Sequence, residues 1–114
     1  MQPDQRDYAH LWDMRQAARE IVSFLHGVTI TRFKREKILR YAVERQLMVI
    51  GEAAAHVSDE YQEKHPGIPW MQIIGQRNVL AHEYGEILVE RVWLTATKSV
   101  PELLQTLEHL LPDL

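Results

Sequence analysis

The chain has 114 residues, of which 46% are hydrophobic and 25% charged, and its formal net charge is −3. This length and composition predict one folded domain, residues 1–114, with a single core, and exclude an intrinsically disordered chain. The acidic balance excludes proteins that coat nucleic acid through a strongly basic surface, and the lack of cysteine excludes disulfides and thiolate zinc sites.

The opening residues MQPDQRDYAH contain no apolar signal region. Elsewhere, no apolar run approaches the roughly 18 residues that a membrane-spanning helix needs. We therefore expect a cytoplasmic protein that has no contact with a membrane.

The first predicted helix runs from about Asp4 to Leu25 and ends at His26-Gly27. Apolar residues recur along it at helical spacing and predict a buried stripe of Tyr8, Leu11, Ala18, Val22 and Leu25.

A second helix is predicted from a Thr31 cap to about Val57. Its apolar residues keep a period near 3.6 for five turns, which predicts a buried face of Leu39, Val43, Leu47, Ile50, Ala54 and Val57.

Ser58 is predicted to open a short helix, SDEYQEKH, which the segment PGIP at 66–69 terminates. The second proline of PGIP suits the first turn of a third long helix that starts at Trp70. That helix is predicted to reach about Tyr84, where Gly85 offers a C-terminal cap.

The last helical region is predicted from about Leu88 to Leu111, with Pro101 bending it or dividing it in two. Its predicted buried residues are Val89, Val92, Trp93, Ala96, Val100, Leu103, Leu107 and Leu110. Together the elements predict an all-α protein, an antiparallel four-helix bundle with a short extra helix.

One basic cluster interrupts the acidic balance near the start of the second helix, at Arg32, Lys34, Arg35, Lys37 and Arg40. Cations in the first turn of a helix oppose its macrodipole, so stability does not explain them. The cluster is either a solvated helix face, a guide for RNA, or a contact for an acidic partner.

The segment RNVLAHEY, residues 77–84, places Arg77 on the apolar stripe of the third long helix. His82 lies about 140° around the helix, on a second stripe with Gly75 and Asn78. Asn78 precedes His82 by four residues, a spacing that lets its amide orient the imidazole. Two structural alternatives stay open: Arg77 snorkels from an apolar face, and His82 complements the C-terminal helix dipole.

Arginine binds phosphate and stabilises charge that develops on its oxygens, and histidine transfers protons near neutral pH. Without a metal, this pair suits attack of an RNA 2′-hydroxyl on the adjacent phosphodiester. The six histidines are scattered without the spacing of a metal site, and no glycine-rich phosphate loop is present. We therefore expect neither a metal nor a cofactor.

Nearly the whole chain resembles the HepT-like toxins, a branch of the HEPN-domain ribonucleases. The resemblance is carried by RDYAHLWDMRQAAREIVSFLHG, AVERQLMVIGEAAAHVS, IPWMQIIGQRNVLAHEYG and VWLTATKSVPELLQTLEHLL. Its sharpest part is the motif R-x4-H-x-Y, whose residues here are Arg77, Asn78, His82 and Tyr84.

The resemblance implies a helical homodimer in which two copies of the motif line one cleft that cuts RNA without a metal. Arg77 and His82 would be catalytic and Asn78 would orient. It also implies a partner, a minimal nucleotidyltransferase antitoxin of a type VII toxin–antitoxin system, which transfers AMP to the motif tyrosine, Tyr84. Apart from the resemblance, Tyr84 reads as a core or interface aromatic residue.

Arg45 and Glu52 lie on a second, partly apolar face of the second helix with Tyr41 and Val49. A helix with two such faces suits a core on one side and a dimer interface on the other, so Arg45 and Glu52 are predicted as interface ion-pair residues rather than catalysts. The rival interpretation of the whole chain is a non-catalytic helical module that binds the nucleotidyltransferase or is modified by it.

Overall fold

The computed structural model describes residues 4–82 and 85–111, and of residues 86 and 87 only the backbone. Every regular element within those residues is a helix, which confirms the all-α prediction. The elements are α1 (Gln5–Phe24), α2 (Ile30–Arg35), α3 (Lys37–His56), α4 (Asp59–Lys64), α5 (Trp70–His82), α6 (Gly85–Leu94), a π-helical turn (Thr95–Ser99) and α7 (Val100–Leu110).

The core forms where α1 packs against α3 and α7. α1 and α3 run antiparallel, since His10 near the start of α1 stacks on His56 at the end of α3, with ring centroids 5.3 Å apart. The largest fully buried side chains are Leu11, Met14, Ile21, Phe33, Val43, Val92 and Leu107. Burial of each such side chain stabilises the fold by roughly 1.5–3 kcal/mol before entropy is counted.

α1 has its expected length, and Leu11 and Ala18 of its predicted stripe are fully buried. The Asp4 side chain caps it by accepting a hydrogen bond from the backbone N–H of Asp7 at 2.8 Å. Val22, predicted inside, is 40% exposed, whereas Met14 and Ile21 are fully buried. The prediction was wrong for Val22 because the helix turns Ile21 toward the core, and one position changes the facing by about 100°.

The predicted second helix is two helices, and its cap is Thr29 rather than Thr31. Thr29 accepts a hydrogen bond from the Arg32 N–H, and Glu36 breaks the helix with an extended backbone, φ −100° and ψ 96°. Phe33, fully buried, meets the Trp93 ring at 5.2 Å and holds α2 against α6. α3 instead follows α1, so the chain must change direction between the two helices.

The start of α4 is joined to α1 through a buried carboxylate. Asp7, 5% exposed, accepts hydrogen bonds from the Ser58 N–H at 2.8 Å and the Ser58 hydroxyl at 2.6 Å. The same Ser58 oxygen caps α4 by accepting from the Tyr61 N–H at 3.1 Å, as the sequence predicts. This network fixes the chain that leads into α5.

The last helical region is divided next to Pro101, as predicted. Proline cannot donate to the preceding turn and its ring crowds that turn. The helix therefore widens before it, and the Val100 N–H donates to the Thr95 carbonyl, a π-type bond. α7 then resumes with Pro101 in its first turn.

Candidate functional site

α5 carries Arg77, Asn78 and His82, and its first turn is firmly anchored. Trp70 is buried, and its indole Nε1–H donates to the His65 carbonyl at 3.0 Å. The Trp70 ring also meets the Tyr61 ring edge-on at 6.3 Å. The Pro69 carbonyl accepts from the Ile73 N–H at 3.0 Å, so proline sits at the helix entrance as predicted.

α5 crosses α3 at Gly51. A Cβ added to Gly51 would lie 2.9 Å from Cγ of Arg77 and 3.1 Å from the carbonyl oxygen of Ile73. The first distance is shorter than real Cβ contacts and the second is tighter than nine in ten of them, so a larger residue at position 51 would push the Arg77 stem or the α5 backbone away. The side-chain stem of Arg77 therefore lies directly on the backbone of α3.

The Arg77 head group emerges from this crossing only partly covered. Its Nε donates to the Ile74 carbonyl at 3.3 Å, and its Nη1 lies 3.9 Å from Oε1 of Glu52. The Arg77 side chain is 37% exposed and that of Glu52 58% exposed, which makes this a long, solvated ion pair. Such pairs contribute at most about 1 kcal/mol. The guanidinium is thus held in place but free to bind an anion.

Asn78 and His82 are exposed on the outer side of α5, and His82 is the last residue of the helix. Among residues 4–82 and 85–111, no hydrogen bond joins the two side chains, so the orienting role of Asn78 stays a prediction. Helix geometry separates Arg77 and His82 by about 7.5 Å along the axis and about 140° around it. One copy of α5 therefore does not direct both groups toward the same point.

Tyr84, the predicted modification site, and its neighbour Glu83 lie outside the described residues. Beyond them, α6 begins at Gly85, which has φ +76°. Because residues 83 and 84 lie between it and the last described residue of α5, the capping role of Gly85 stays a prediction.

Arg45 and Glu52, the two residues predicted at an interface, make no ion pair with each other within the described residues. Glu52 approaches Arg77 of its own chain, as described above. Arg45 is exposed, and within the described part of the chain no carboxylate lies within 4 Å of it. Whether either residue lies at a subunit interface stays a prediction.

Sequence reasoning missed Gly51 as a positioning residue. The signal was present, since a glycine inside a helical pattern weakens the helix and usually reflects close packing. The pattern could not reveal that the close neighbour is the Arg77 stem, because that depends on how α5 crosses α3.

A cavity of about 690 Å³ lies on the other flank of α5, between that helix and the region from α6 to α7. Ile50, Ile68 and Leu103 contribute apolar wall, and Gln72, Gln76 and Glu102 contribute polar groups. Val79 of the motif segment lines it, whereas Arg77, Asn78 and His82 do not.

Within the described residues, no three or more histidine, aspartate or glutamate side chains are grouped as a metal site would require. None of the described helices is both long and apolar enough to cross a membrane.

A profile of the family described as "Ribonuclease HepT-like" matches residues 14–110. The chain is 33% identical over 100 residues to "Putative RNase MJ1380" of Methanocaldococcus jannaschii, covering 88% of this chain and 92% of that protein. It is 31% identical over 110 residues to "Probable ribonuclease HepT" of Thermococcus cleftensis, covering 96% and 98% of the two chains. No solved structure matches the chain significantly.

Proposed function

This chain belongs to the HepT-like ribonuclease family, and from that membership and the geometry around Arg77 we propose that it is a metal-independent endoribonuclease. It acts as the toxin of a type VII toxin–antitoxin pair. Relatives named as ribonucleases support the activity.

The reaction is transfer of a phosphodiester within RNA. The 2′-hydroxyl oxygen forms a bond to the adjacent phosphorus, the bond from phosphorus to the 5′-oxygen breaks, and a 2′,3′-cyclic phosphate and a 5′-hydroxyl result. His82 takes the proton of the attacking hydroxyl or gives one to the leaving oxygen. Arg77 binds the non-bridging oxygens, where charge grows in the transition state.

The observation that carries this proposal is that the Arg77 side chain is held in a fixed position and yet is accessible to solvent. Its stem is fixed over Gly51, yet the side chain is 37% exposed and its Nη1 makes one long ion pair, at 3.9 Å. An arginine that only stabilised the fold would gain from a closer carboxylate. This one is positioned and left accessible, as a phosphate ligand must be.

A homodimer supplies the missing geometry. Met71, one turn before Gly75 on the outer face of α5, is 89% exposed, and Asn78 and His82 follow it on that face. A second copy packed here would bury Met71 and bring its own motif opposite. Arg77 of one copy and His82 of the other would then bracket a single phosphate despite the 140° between them in one helix.

The proposed partner is a minimal nucleotidyltransferase that neutralises the toxin by transferring AMP to Tyr84, as the family resemblance implies. Tyr84 follows Arg77 by seven residues in the sequence. An adduct that carries phosphate would bring negative charge to the arginine that RNA needs.

The test is cleavage of a labelled RNA by the purified chain in EDTA, with analysis of the product ends. Arg77→Ala and His82→Ala should each reduce the rate about 100-fold or more, whereas Arg6→Ala and His26→Ala, exposed residues of the same types outside α5, should not. Cleavage that persists in both motif variants would reject the site. No cleavage by the unmodified wild type would favour the non-catalytic module.

A further inference from the structure

The positive charge of this acidic chain is concentrated in α2 and the first half of α3. Residues 30–45 hold six of the 13 lysines and arginines but only two of the 16 acidic residues. Their formal charge is therefore +4 in a chain whose total is −3. A local excess of this kind attracts a polyanion even when the whole protein is acidic.

Half of these cations already have structural partners. Arg32 pairs with Glu36 at 2.5 Å, and Lys34 pairs with Glu90 of α6 at 3.3 Å. Arg40 of α3 donates to the Lys34 carbonyl of α2 and so joins the two helices across the break at Glu36. Part of the basic cluster thus has a structural role, because these three contacts hold α2 in place.

The other three, Arg35, Lys37 and Arg45, are exposed, and within residues 4–82 and 85–111 no carboxylate lies within 4 Å of them. Two of them continue along α3 at four-residue spacing with an aromatic residue between them, in the order Lys37, Tyr41, Arg45. Residues four apart on a helix are surface neighbours. Tyr41 is 60% exposed and contacts no other aromatic ring of the described residues.

We infer that Lys37, Tyr41 and Arg45, here called the α3 ladder, bind single-stranded RNA, with Tyr41 stacking on a base and the two cations contacting phosphates on either side. This inference rests on the proposed function, because it names the part of the molecule that receives the RNA beside the cleavage site. Cations that follow the backbone, combined with aromatic faces for the bases, are the usual means of binding a single strand.

The ladder lies on the side of α3 that, further along the helix, carries the residue paired with Arg77. Glu52, the ion-pair partner of Arg77, lies eleven residues after Tyr41 on the same side of α3, which places it about 16 Å further along the axis. A strand whose phosphate reaches Arg77 can therefore extend back along α3 over Arg45 and Tyr41. We favour RNA over an acidic protein because a single strand offers phosphates for both cations and a base face for the ring between them.

The test measures binding separately from cleavage. The probe is a fluorescent single-stranded RNA that carries 2′-O-methyl groups throughout and so lacks the attacking hydroxyl. Its affinity for the full chain is followed by fluorescence anisotropy over a range of salt concentrations. The variants are Tyr41→Ala, Tyr41→Phe and the double variant Lys37→Gln/Arg45→Gln, and the matched control is Arg6→Gln/Lys98→Gln, which removes two exposed cations elsewhere.

Tyr41→Ala should weaken binding about 5- to 150-fold, and Tyr41→Phe, which keeps the ring, should not. The ladder double variant should lower the slope of log affinity against log salt by about 1.4, the value for two lost contacts to a single strand. The control should keep the wild-type slope.

Equal slopes for the two double variants would overturn the inference. So would unchanged affinity in Tyr41→Ala, or an equal loss of affinity for a duplex of the same sequence. Conversion of a dimer to a monomer by the ladder variants, seen by light scattering, would make the ladder a subunit interface instead. If the wild type binds RNA without cutting it, and the ladder variants lose that binding, the inference about the ladder holds. The proposed function alone is then rejected.

Discussion

Cγ of Arg77 rests on the backbone of Gly51, so close that a Cβ at position 51 would lie 2.9 Å from it. The carbonyl oxygen of Ile73, one turn before Arg77, would be only 3.1 Å from the same Cβ. A glycine in α3 thus sets both the position of α5 and the path of the side chain that we propose binds phosphate.

Gly51→Ala should therefore impair cleavage more than it impairs folding. The added methyl group pushes the Arg77 stem and the α5 backbone away, and a shift of that kind at a reacting group costs about 10- to 100-fold in rate. The cost of crowding is partly offset by alanine's better helix propensity, so unfolding should become easier by no more than about 2 kcal/mol.

Initial cleavage rates and thermal melting measure the two effects. The matched control is Gly67→Ala, because a Cβ there meets nothing within 4 Å. An unchanged rate in Gly51→Ala would show that the position of Arg77 does not depend on this contact.

Glu52→Gln should strengthen RNA binding. The Glu52 carboxylate lies 3.9 Å from Nη1 of Arg77 and competes with phosphate for it, but both groups are well solvated. The gain should therefore be a decrease in KM of about 2- to 5-fold at low salt with kcat little changed. Glu52→Asp, which keeps the charge, is the control. A 100-fold fall in kcat for Glu52→Gln would instead place Glu52 in the catalytic step.

The helices were predictable where apolar periodicity was long and where stop signals were strong. The face of α3 with Val43, Leu47 and Ile50 is buried as predicted, and Pro101 divides the last helix. The break at Glu36 carries no glycine or proline, so it left no local signal. It arises from competing distant contacts, Phe33 with Trp93 on one side and α3 with α1 on the other.

The candidate site, too, has a part that could be predicted from the sequence and a part that could not. The motif itself, Arg77 to His82, is written in one helix and could be found in the sequence. The contact of Arg77 with Gly51 and its ion pair with Glu52 join two helices, and a linear pattern does not contain their crossing. The only local sign of the crossing in the sequence is Gly51, a glycine inside a helical pattern.

Glu44 gives a prediction for the pH dependence of stability. Burial raises the pKa of its carboxyl above the ordinary value, and nearby Arg40 opposes the rise. The folded chain therefore binds the proton more tightly than the unfolded chain. Wild type loses stability as the pH rises from the ordinary glutamate pKa through the raised pKa of Glu44.

Glu44→Gln should accordingly be more stable than wild type at pH 7, by no more than about 0.5 kcal/mol given the solvent around the carboxylate. The difference should shrink as the pH falls through the raised pKa of Glu44 and disappear below the ordinary glutamate pKa, where both states are protonated. Urea unfolding at several pH values measures it, with Glu63→Gln on the exposed side of α4 as control. A wild type that is the more stable protein at pH 7 would mean that attraction to Arg40 outweighs burial.

The composite cleft is tested most directly by mixing two inactive variants, Arg77→Ala and His82→Ala, under conditions that exchange subunits, and measuring RNA cleavage in EDTA. If Arg77 of one copy acts with His82 of the other, each mixed dimer contains one complete site. Since random pairing makes half of the dimers mixed, the mixture should recover about one quarter of the wild-type rate. A mixture no more active than its separate components, although mixed dimers form, would contradict a cleft shared between two copies.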